Sequence, residues 1–282
     1  MASQRAVTFI DVLGFREKLS TLPLDTLAAN YESAIAMIRG LNRPLVSSSG
    51  MPSLFPTAKP EDRWCIQHVF SDSIMLFALD ESDESFLKLV VYSWRVVQAL
   101  LATGMHPRGA IAFGEMHVNE TANIFLGKAL AEAYELEQIQ DWVGVALAPS
   151  ACARYAEIVD EVASPKNGQP SFLVRQMVLL KRTEQSFLGR ILKLFPFTRY
   201  KKQSLVVINW RWNLVAKYGS RSLLPQSSVP SVRQKTANTV EYLERIVASG
   251  ALYPIQQEQV PVELRTFYIG DTEPPFPHGD AL

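Results

Sequence analysis

The sequence predicts an α+β sandwich, in which strands form a sheet and helices pack on one face of it. Three observations support this class. Residues 5–15 form a β-branched and aromatic run that ends in a glycine turn, residues 63–79 form two apolar runs joined by a Ser-Asp-Ser turn, and two long segments have apolar residues at helical spacing. The order along the chain is strand, helix, hairpin, helix and strand, with a further helix and strand appended.

The first predicted helix follows the first strand and its turn. Residues 24–41 have apolar side chains close to helical spacing, so one face of this helix can pack on a sheet. These side chains are Leu27, Tyr31, Ile35, Met37 and Ile38. The predicted hairpin comes next, and its tight turn puts Asp72 at the tip.

The second predicted helix spans residues 86–101 and is preceded by acids that complement the positive end of a helix. Gly104 ends it. The run is interrupted by two basic residues and is too short to cross a bilayer, so we expect a core helix and no membrane partner. A strand, a helix and a strand complete the predicted core, at residues 108–118, 128–140 and 143–147.

The carboxyl-terminal part has weaker signals. Two strands are predicted at Phe172–Leu180 and Leu205–Trp210, separated by a loop rich in Lys and Arg, and a helix is predicted at Val232–Ser249. One further strand is expected at Val262–Ile269, within a Pro- and Gly-rich tail that we expect to be partly disordered. The expected divisions are a core domain at 1–160, a carboxyl-terminal α/β extension of the same domain at 161–250, and the tail at 251–282.

Composition excludes some classes of protein. The 282 residues include 28 basic and 28 acidic ones, so bulk charge does not favour binding to nucleic acid or to an anionic membrane. The amino end shows no basic and apolar leader, and the two cysteines, Cys65 and Cys152, form no metal or disulfide pattern. We therefore expect a cytoplasmic protein in which both cysteines are small core residues.

Two acids are the candidate functional groups. Asp11 interrupts an apolar strand directly before a glycine turn, and Asp72 lies at the tip of the hairpin. A carboxylate in such surroundings is usually paired, bound to a cation or partly exposed, because burial of an unpaired charge is costly. Capping of the next helix by Asp11 and a solvated turn position for Asp72 are the structural alternatives.

Three segments resemble the catalytic domain of class III nucleotidyl cyclases. Residues 9–15 read Phe-Ile-Asp-Val-Leu-Gly-Phe and match the family pattern Phe-x-Asp-x-x-Gly-Phe. Ser71 and Asp72 match a Gly-Asp hairpin in which serine replaces glycine, and residues 108–115 match Arg-x-Gly-Ile-x-x-Gly-Glu with alanine at the first glycine. The resemblance covers residues 5–160 and implies a ferredoxin-like βαββαβ core.

The resemblance also implies a mechanism with two Mg²⁺ or Mn²⁺ ions per site. Asp11, Asp72 and the carbonyl of Val12 would be the ligands, since these hard ions prefer oxygen. The turn formed by Leu13, Gly14 and Phe15 would hold the phosphates of a nucleoside triphosphate through its backbone N–H groups. Family members act as dimers, so we expect a homodimer with composite sites.

The positions that read the base depart from the purine enzymes of the family. His68 stands where adenylate cyclases have lysine and guanylate cyclases have glutamate, and Ile124 stands at the second base-reading position if the chain is aligned on Gly127. We expect these two residues to bind a pyrimidine, in a pocket that Ile124 and Phe125 make smaller. The match is then to bacterial pyrimidine cyclases of phage-defence signalling, with UTP favoured over CTP and a downstream cyclic-nucleotide-sensing effector. An ordinary half-buried strand histidine is the alternative for His68.

The arginine that family members take from the partner subunit is missing, because the aligned positions are Ala131 and Glu135. Arg108, Lys128 and Arg154 are the candidate replacement cations, and Arg108 is the one assigned a catalytic role here. A surface ion pair is the alternative for Arg108, and a non-catalytic nucleotide-binding module is the alternative for the protein.

Two clusters of charge are expected to be solvated. Glu132, Glu135 and Glu137 are interpreted as an exposed helix face. The basic run at residues 181–202, which also contains aromatic residues, is interpreted as a solvated loop, with nucleic-acid binding as the less favoured alternative.

Overall fold

The computed structural model describes residues 2–40, 42, 63–163, 172–181, 200–210 and 229–248. The predicted strand at 262–269, the tail and most of the basic run lie outside the described residues.

The first half of the chain forms the predicted strand, helix, hairpin, helix and strand. The bounds are β1 Ser3–Leu13, α1 Phe15–Thr21, α2 Leu24–Gly40, β2 Cys65–Phe70, β3 Ser73–Ala78, α3 Asp83–Ala102 and β4 His106–Asn119. Local signals explain several of these ends. Ser82 caps α3 by accepting a hydrogen bond from the N–H of Ser85, and Gly104, with a φ of 70°, follows its last turn.

The second half adds strands and helices around this core. The bounds are β5 Ile124–Gly127, α4 Lys128–Ile139, β6 Gly144–Leu147, α5 Pro149–Arg154, α6 Ala156–Ala163, β7 Leu173–Lys181, β8 Tyr200–Ile208 and α7 Pro230–Ala248. The short elements β5, α5 and α6 were not predicted, because segments of four to eight residues leave little periodic signal.

The sheet has the order β2-β3-β1-β4-β6-β8-β7, with β5 paired to the far end of β4. Its pairs are antiparallel except for β4 and β6. The order β4-β1-β3-β2, with α2 and α3 as the connecting helices, is that of a ferredoxin-like βαββαβ unit, and the predicted α+β class is confirmed. β7 and β8 continue the same sheet.

The prediction that helices cover one face is wrong in one respect. Ile10 packs with α2 and α3 on one face of the sheet, whereas Phe9 packs with Ala133 of α4 on the other face. Alternation along β1 separates the two sets, and the odd-numbered residues Val7, Phe9 and Asp11 share the α4 face. Asp11 therefore lies on the α4 face of the sheet, near the end of β1, and its side chain is partly exposed.

The helix α3 is the predicted core helix. By length and composition alone it could cross a membrane, but most of it is buried within the protein. Thr8 of β1 and Ser93 of α3 share a buried hydrogen bond of 2.8 Å, which fixes the helix on the central strand. Cys65 is buried as expected, and Cys152 is half-buried.

Candidate metal and nucleotide site

The two acids lie side by side at one end of the sheet. Asp11 is opposite Ser73 in the pairing of β1 with β3, so Asp72 is the next residue beyond the paired strand. The N–H of Val12 donates a hydrogen bond to the carbonyl oxygen of Asp72 at 3.0 Å. Burial and then the charge of Asp72 raise the pKa of Asp11. The strand that carries one acid is thus joined directly to the turn that carries the other.

Tyr31 of α2 supports the turn before Asp72. Its hydroxyl donates a short hydrogen bond to the carbonyl of Ser71, a residue with a φ of 53°, and its ring packs on Phe15 at 5.5 Å between centroids. Burial, followed by the charges of Asp72 and Asp11, raises the pKa of Tyr31 to about 12. Sequence reasoning assigned Tyr31 to packing only, because helical spacing carries no information on where a hydroxyl binds.

The glycine turn after β1 is formed as the sequence indicates. Gly14 has a φ of 75°, a left-handed conformation that favours glycine, and α1 begins at Phe15. The side chains of Val12 and Leu13 are buried, so only their backbone groups are left for a ligand. The N-cap of α1 is Gly14 and no side-chain hydrogen bond caps the helix, so the alternative of a capping role for Asp11 is not seen.

Arg108 lies beside Asp11 on the adjacent strand. The two residues are opposite each other in the register of β1 and β4, and Arg108 Nη2 is 3.8 Å from Asp11 Oδ2. Arg108 also forms a closer ion pair with Glu137 and donates to the carbonyl of Gln140 at 3.3 Å. The alternative of a surface ion pair is wrong, because Arg108 is buried.

The interpretation of Glu137 as solvated is also wrong. Glu137 is fully buried in the last turn of α4, where it pairs with Arg108. Burial raises the pKa of Glu137, the charge of Arg108 opposes this shift, and Asp11 adds to it. A signal for this position exists in the sequence, since Ala129, Ala133 and Glu137 are spaced four apart and fall on the face of α4 that meets the sheet.

The two expected base readers do not share a surface within one chain. His68 lies on β2, and its ring contacts Phe125 at 4.6 Å between centroids. Phe125 also stacks on Phe77. Because side chains alternate along β5, Ile124 points away from Phe125 and is exposed. The expectation that His68 and Ile124 line one cavity is corrected: Phe125 is the neighbour of His68.

Two of the three candidate cations lie far from the acids. Lys128 is 85% exposed and pairs with Glu115, which is seven residues along β4 from Arg108, roughly 23 Å at the rise of a strand. Arg154 pairs with Asp83 and donates to the carbonyl of Glu81, in the segment that follows the far end of β3. Only Arg108 is beside Asp11.

The carboxyl-terminal extension brings two other cations near this end of the sheet. Lys181, at the end of β7, is 3.9 Å from Asp141, and the charges of Glu137 and Arg108 also act on it. Lys235 of α7 lies in the same group, and its charge acts on Asp11. Sequence reasoning placed Lys181 in a solvated run and gave Lys235 no role, because both depend on contacts between distant segments.

The acids present suit Mg²⁺ or Mn²⁺ in number and type. Within the described residues, no three His, Cys, Asp or Glu side chains gather as a closed metal site. Magnesium ions are commonly held by one or two carboxylates together with substrate phosphates and water. A pair of aspartates, Asp11 and Asp72, with a backbone carbonyl nearby fits that pattern. Burial and the charge of Asp72 raise the pKa of Asp11, and a cation between the two carboxylates would offset both effects.

Comparisons with known proteins return solved structures only. A scan against protein-family models finds none that matches, and a search of the curated proteins finds no match. The guanylyl cyclase domain of the RhoGC fusion protein from the aquatic fungus Blastocladiella emersonii is 11% identical, with 74% of this chain and 98% of that chain covered and a TM-score of 0.47.

Two further cyclases are similar to the same extent. The guanylate cyclase domain of RhGC from Catenaria anguillulae, in complex with GTP, is 11% identical over 73% of this chain and 97% of that chain, with a TM-score of 0.47. The adenylyl cyclase CyaB from P. aeruginosa is 10% identical over 74% and 95%, with a TM-score of 0.45.

Proposed function

We propose that this protein is a nucleotidyl cyclase that converts a nucleoside triphosphate to its 3′,5′-cyclic monophosphate and pyrophosphate. The observation that carries the proposal is the adjacency of Asp11 and Asp72, joined through the Val12 N–H, with Arg108 next to Asp11. Cyclisation asks an enzyme mainly to position a hydroxyl against a phosphorus atom and to neutralise a polyphosphate. The two acids can bind cations that position the hydroxyl, and these cations together with the buried arginine can neutralise the polyphosphate.

In the proposed reaction the ribose 3′-oxygen forms a bond to the α-phosphorus while the bond from that phosphorus to the bridging oxygen breaks. The hydroxyl proton passes to water, and pyrophosphate leaves. Mg²⁺ or Mn²⁺, two per site, would polarise the hydroxyl and neutralise the phosphates when bound to Asp11, Asp72 and the Val12 carbonyl. Leu13, Gly14 and Phe15 would hold phosphate oxygens through backbone N–H groups.

We favour a pyrimidine nucleotide, UTP before CTP. Neither purine-reading residue of the family is present at His68 or Ile124. The contact of His68 with Phe125 supports a smaller base site, since the aromatic ring occupies space beside the imidazole. A purine nucleotide is the competing substrate.

The proposed homodimer has support from exposed apolar side chains on the face of the sheet that carries Asp11. Phe70, beside the hairpin tip, is 72% exposed, and Tyr134 of α4 is 49% exposed while its ring contacts Phe9. Burial of such side chains against a second copy would be favourable. Sedimentation of the purified protein with and without Mn²⁺ and UTP measures this, and a monomer under both conditions would contradict it.

A direct assay tests the activity. The purified protein is incubated with each of the four triphosphates and Mn²⁺, and products are resolved by mass spectrometry. Cyclic UMP from UTP is the expected main product. A purine product in place of it would retain the cyclase and reject the pyrimidine assignment, and no cyclic product from any triphosphate would reject catalysis.

The second candidate is a non-catalytic nucleotide-binding module on the same fold. Ala131 and Glu135 favour it, because both are exposed on α4 and neither can replace the partner arginine. Tight binding of a triphosphate without turnover, with either cation, would support this candidate.

The biological role that we propose is the synthesis of a second messenger in defence against phage, read by a cyclic-nucleotide-sensing effector. Its motive is the resemblance to bacterial pyrimidine cyclases. Cells that express the protein should accumulate cyclic UMP after phage infection. An unchanged level in cells with the wild-type protein, compared with cells carrying Asp72→Asn, would reject this role.

A further inference from the structure

One face of α7 is attached to the segment that connects α4 to β6. Lys235 and Tyr242 lie three or four residues from both Asn238 and Thr239, so all four residues share this face, and all are buried. Asn238 donates to the carbonyl and to a carboxylate oxygen of Asp141 at 2.7 and 2.9 Å. Thr239 accepts a hydrogen bond from the N–H of Val143 at 2.9 Å. The position of the helix is thus fixed against residues 141–143.

The same segment also holds Arg108. Gln140 accepts a hydrogen bond from Arg108 through its carbonyl and donates from its side chain to the carbonyl of Gly109 at 2.7 Å. Lys235 precedes Asn238 by three residues, about one helical turn. Its side chain therefore lies close to Asp141, Glu137 and Arg108, and its charge acts on Asp11.

Lys235 forms no ion pair among the described residues, although the charges of Asp141 and Glu137 act on it. It is only 8% exposed, and it forms neither a side-chain hydrogen bond nor an ion pair there. The nearby acids are already bound, Glu137 by Arg108 and Asp141 by Asn238 and Lys181. Arg108 and Lys181 add positive charge around it. The stem of Lys235 is buried, whereas its Nζ is not among the buried unpartnered atoms of the described residues, so the ammonium keeps contact with solvent. An anion that reaches this end of the sheet can therefore bind it as a counter-charge.

We propose that Lys235 binds a phosphate group of the triphosphate held at Asp11 and Asp72, and so supplies from the same chain the cation that Ala131 and Glu135 cannot. The identity of the bound molecule as a triphosphate rests on the proposed function. The helix α7 is then part of the site, and Arg108 and Lys235 together supply the positive charge of the site. An ammonium acts as a point charge on phosphate, in the manner of other phosphate-binding lysines.

The test uses inorganic pyrophosphate as the probe, since it presents the phosphate charge without requiring turnover. Binding to the full-length protein is measured by titration calorimetry with Mg²⁺ present. Lys235→Met is expected to weaken binding by about tenfold, and Lys235→Arg to retain most of it. Lys202→Met is the matched control, because Lys202 is an exposed lysine that pairs with Glu241 on the outer side of the same helix.

A second readout separates phosphate binding from a structural role. Because its ammonium is unpaired, replacement of Lys235 by methionine is expected to leave the melting temperature unchanged or raise it. A structural lysine would show the opposite. Unchanged pyrophosphate affinity in Lys235→Met, or a lower melting temperature than that of Lys202→Met, would overturn the proposal. If no triphosphate is cyclised while the affinity still depends on Lys235, the proposed function fails and phosphate binding at Lys235 stands.

Discussion

The Val12 N–H donates to the Asp72 carbonyl at 3.0 Å, so the backbone and not a side chain joins the two acid-bearing segments. Replacement of either carboxylate by an amide should therefore leave the fold intact. We predict that Asp11→Asn and Asp72→Asn each lower cyclase turnover more than about a hundredfold, because a carboxylate that holds a cation contributes several kcal/mol. Product formation and Mn²⁺ binding are the measurements.

Asp25→Asn is the control for these two variants, since Asp25 is an exposed acid in the first turn of α2. It should match the wild type in both measurements. Normal turnover in Asp11→Asn or Asp72→Asn would show that the metal assignment is wrong.

The buried pair of Arg108 and Glu137 predicts a large effect on stability. Glu137→Gln leaves the Arg108 guanidinium without its main counter-charge in a buried position, so we expect a loss of about 3–5 kcal/mol in the free energy of unfolding. Glu135→Gln, on the exposed side of the same helix, should change it by less than about 0.5 kcal/mol. Urea unfolding measures both. A similarly small loss of unfolding free energy in the two variants would mean that Glu137 does not balance the charge of Arg108.

Tyr31→Phe should change both stability and its dependence on pH. Loss of the hydrogen bond to the Ser71 carbonyl is expected to cost about 1 kcal/mol at pH 8. Burial raises the pKa of Tyr31 in the folded protein to about 12, whereas the pKa of an unfolded tyrosine is 10.0. The unfolded chain therefore loses a proton first as pH rises. The contribution of Tyr31 is complete below pH 10 and is lost as pH rises through 12.

The measurement is the free energy of unfolding between pH 8 and pH 11. The wild type should lose stability more steeply above pH 10 than Tyr31→Phe, because the other tyrosines are the same in both proteins. Parallel curves would contradict the assigned surroundings of Tyr31.

Gly109 and Gly114 of β4 make a matched pair. A Cβ at Gly109 would lie 2.3 Å from the carbonyl oxygen of Phe9, so the paired strands would have to separate, whereas a Cβ at Gly114 would meet atoms no closer than 3.4 Å. We predict that Gly109→Ala lowers the free energy of unfolding by about 1–3 kcal/mol, while Gly114→Ala costs clearly less. Equal effects would mean that the contact of β1 with β4 is not close at Gly109.

The main elements of the fold were predictable because their signals are local. The apolar run of β1, the hairpin around Asp72 and the long stripe of α3 each show the period of the element they form. The approach of Asp72 to Asp11 follows from that hairpin together with the resemblance in residues 9–15. The α4 packing on the second face was missed because its stripe is built of alanines, which give a weak apolar signal.

The charged neighbours of the site were less accessible to sequence reasoning. Glu137 is on the buried stripe of α4, but an acid at such a position is interpretable only once Arg108 is known to lie opposite it. Lys235 lies on a buried face of α7 that is mostly polar, so the spacing of apolar residues gives no indication that Lys235 is buried. Ile124 was misplaced because the four-residue strand β5, which sets its direction, was not predicted.

The central position of β1 has a consequence for folding of the nascent chain. Of the described strands β1 is made first, and it pairs with β3 and along its whole length with β4. One partner is complete at Ala78, but the other is complete only when synthesis reaches Asn119. Such non-local pairing slows folding and exposes an apolar strand to chaperones or to other chains in the meantime. Of the described elements, the helix that carries Lys235 is synthesised last, so a chain that stalls before residue 230 would contain both acids but not the lysine.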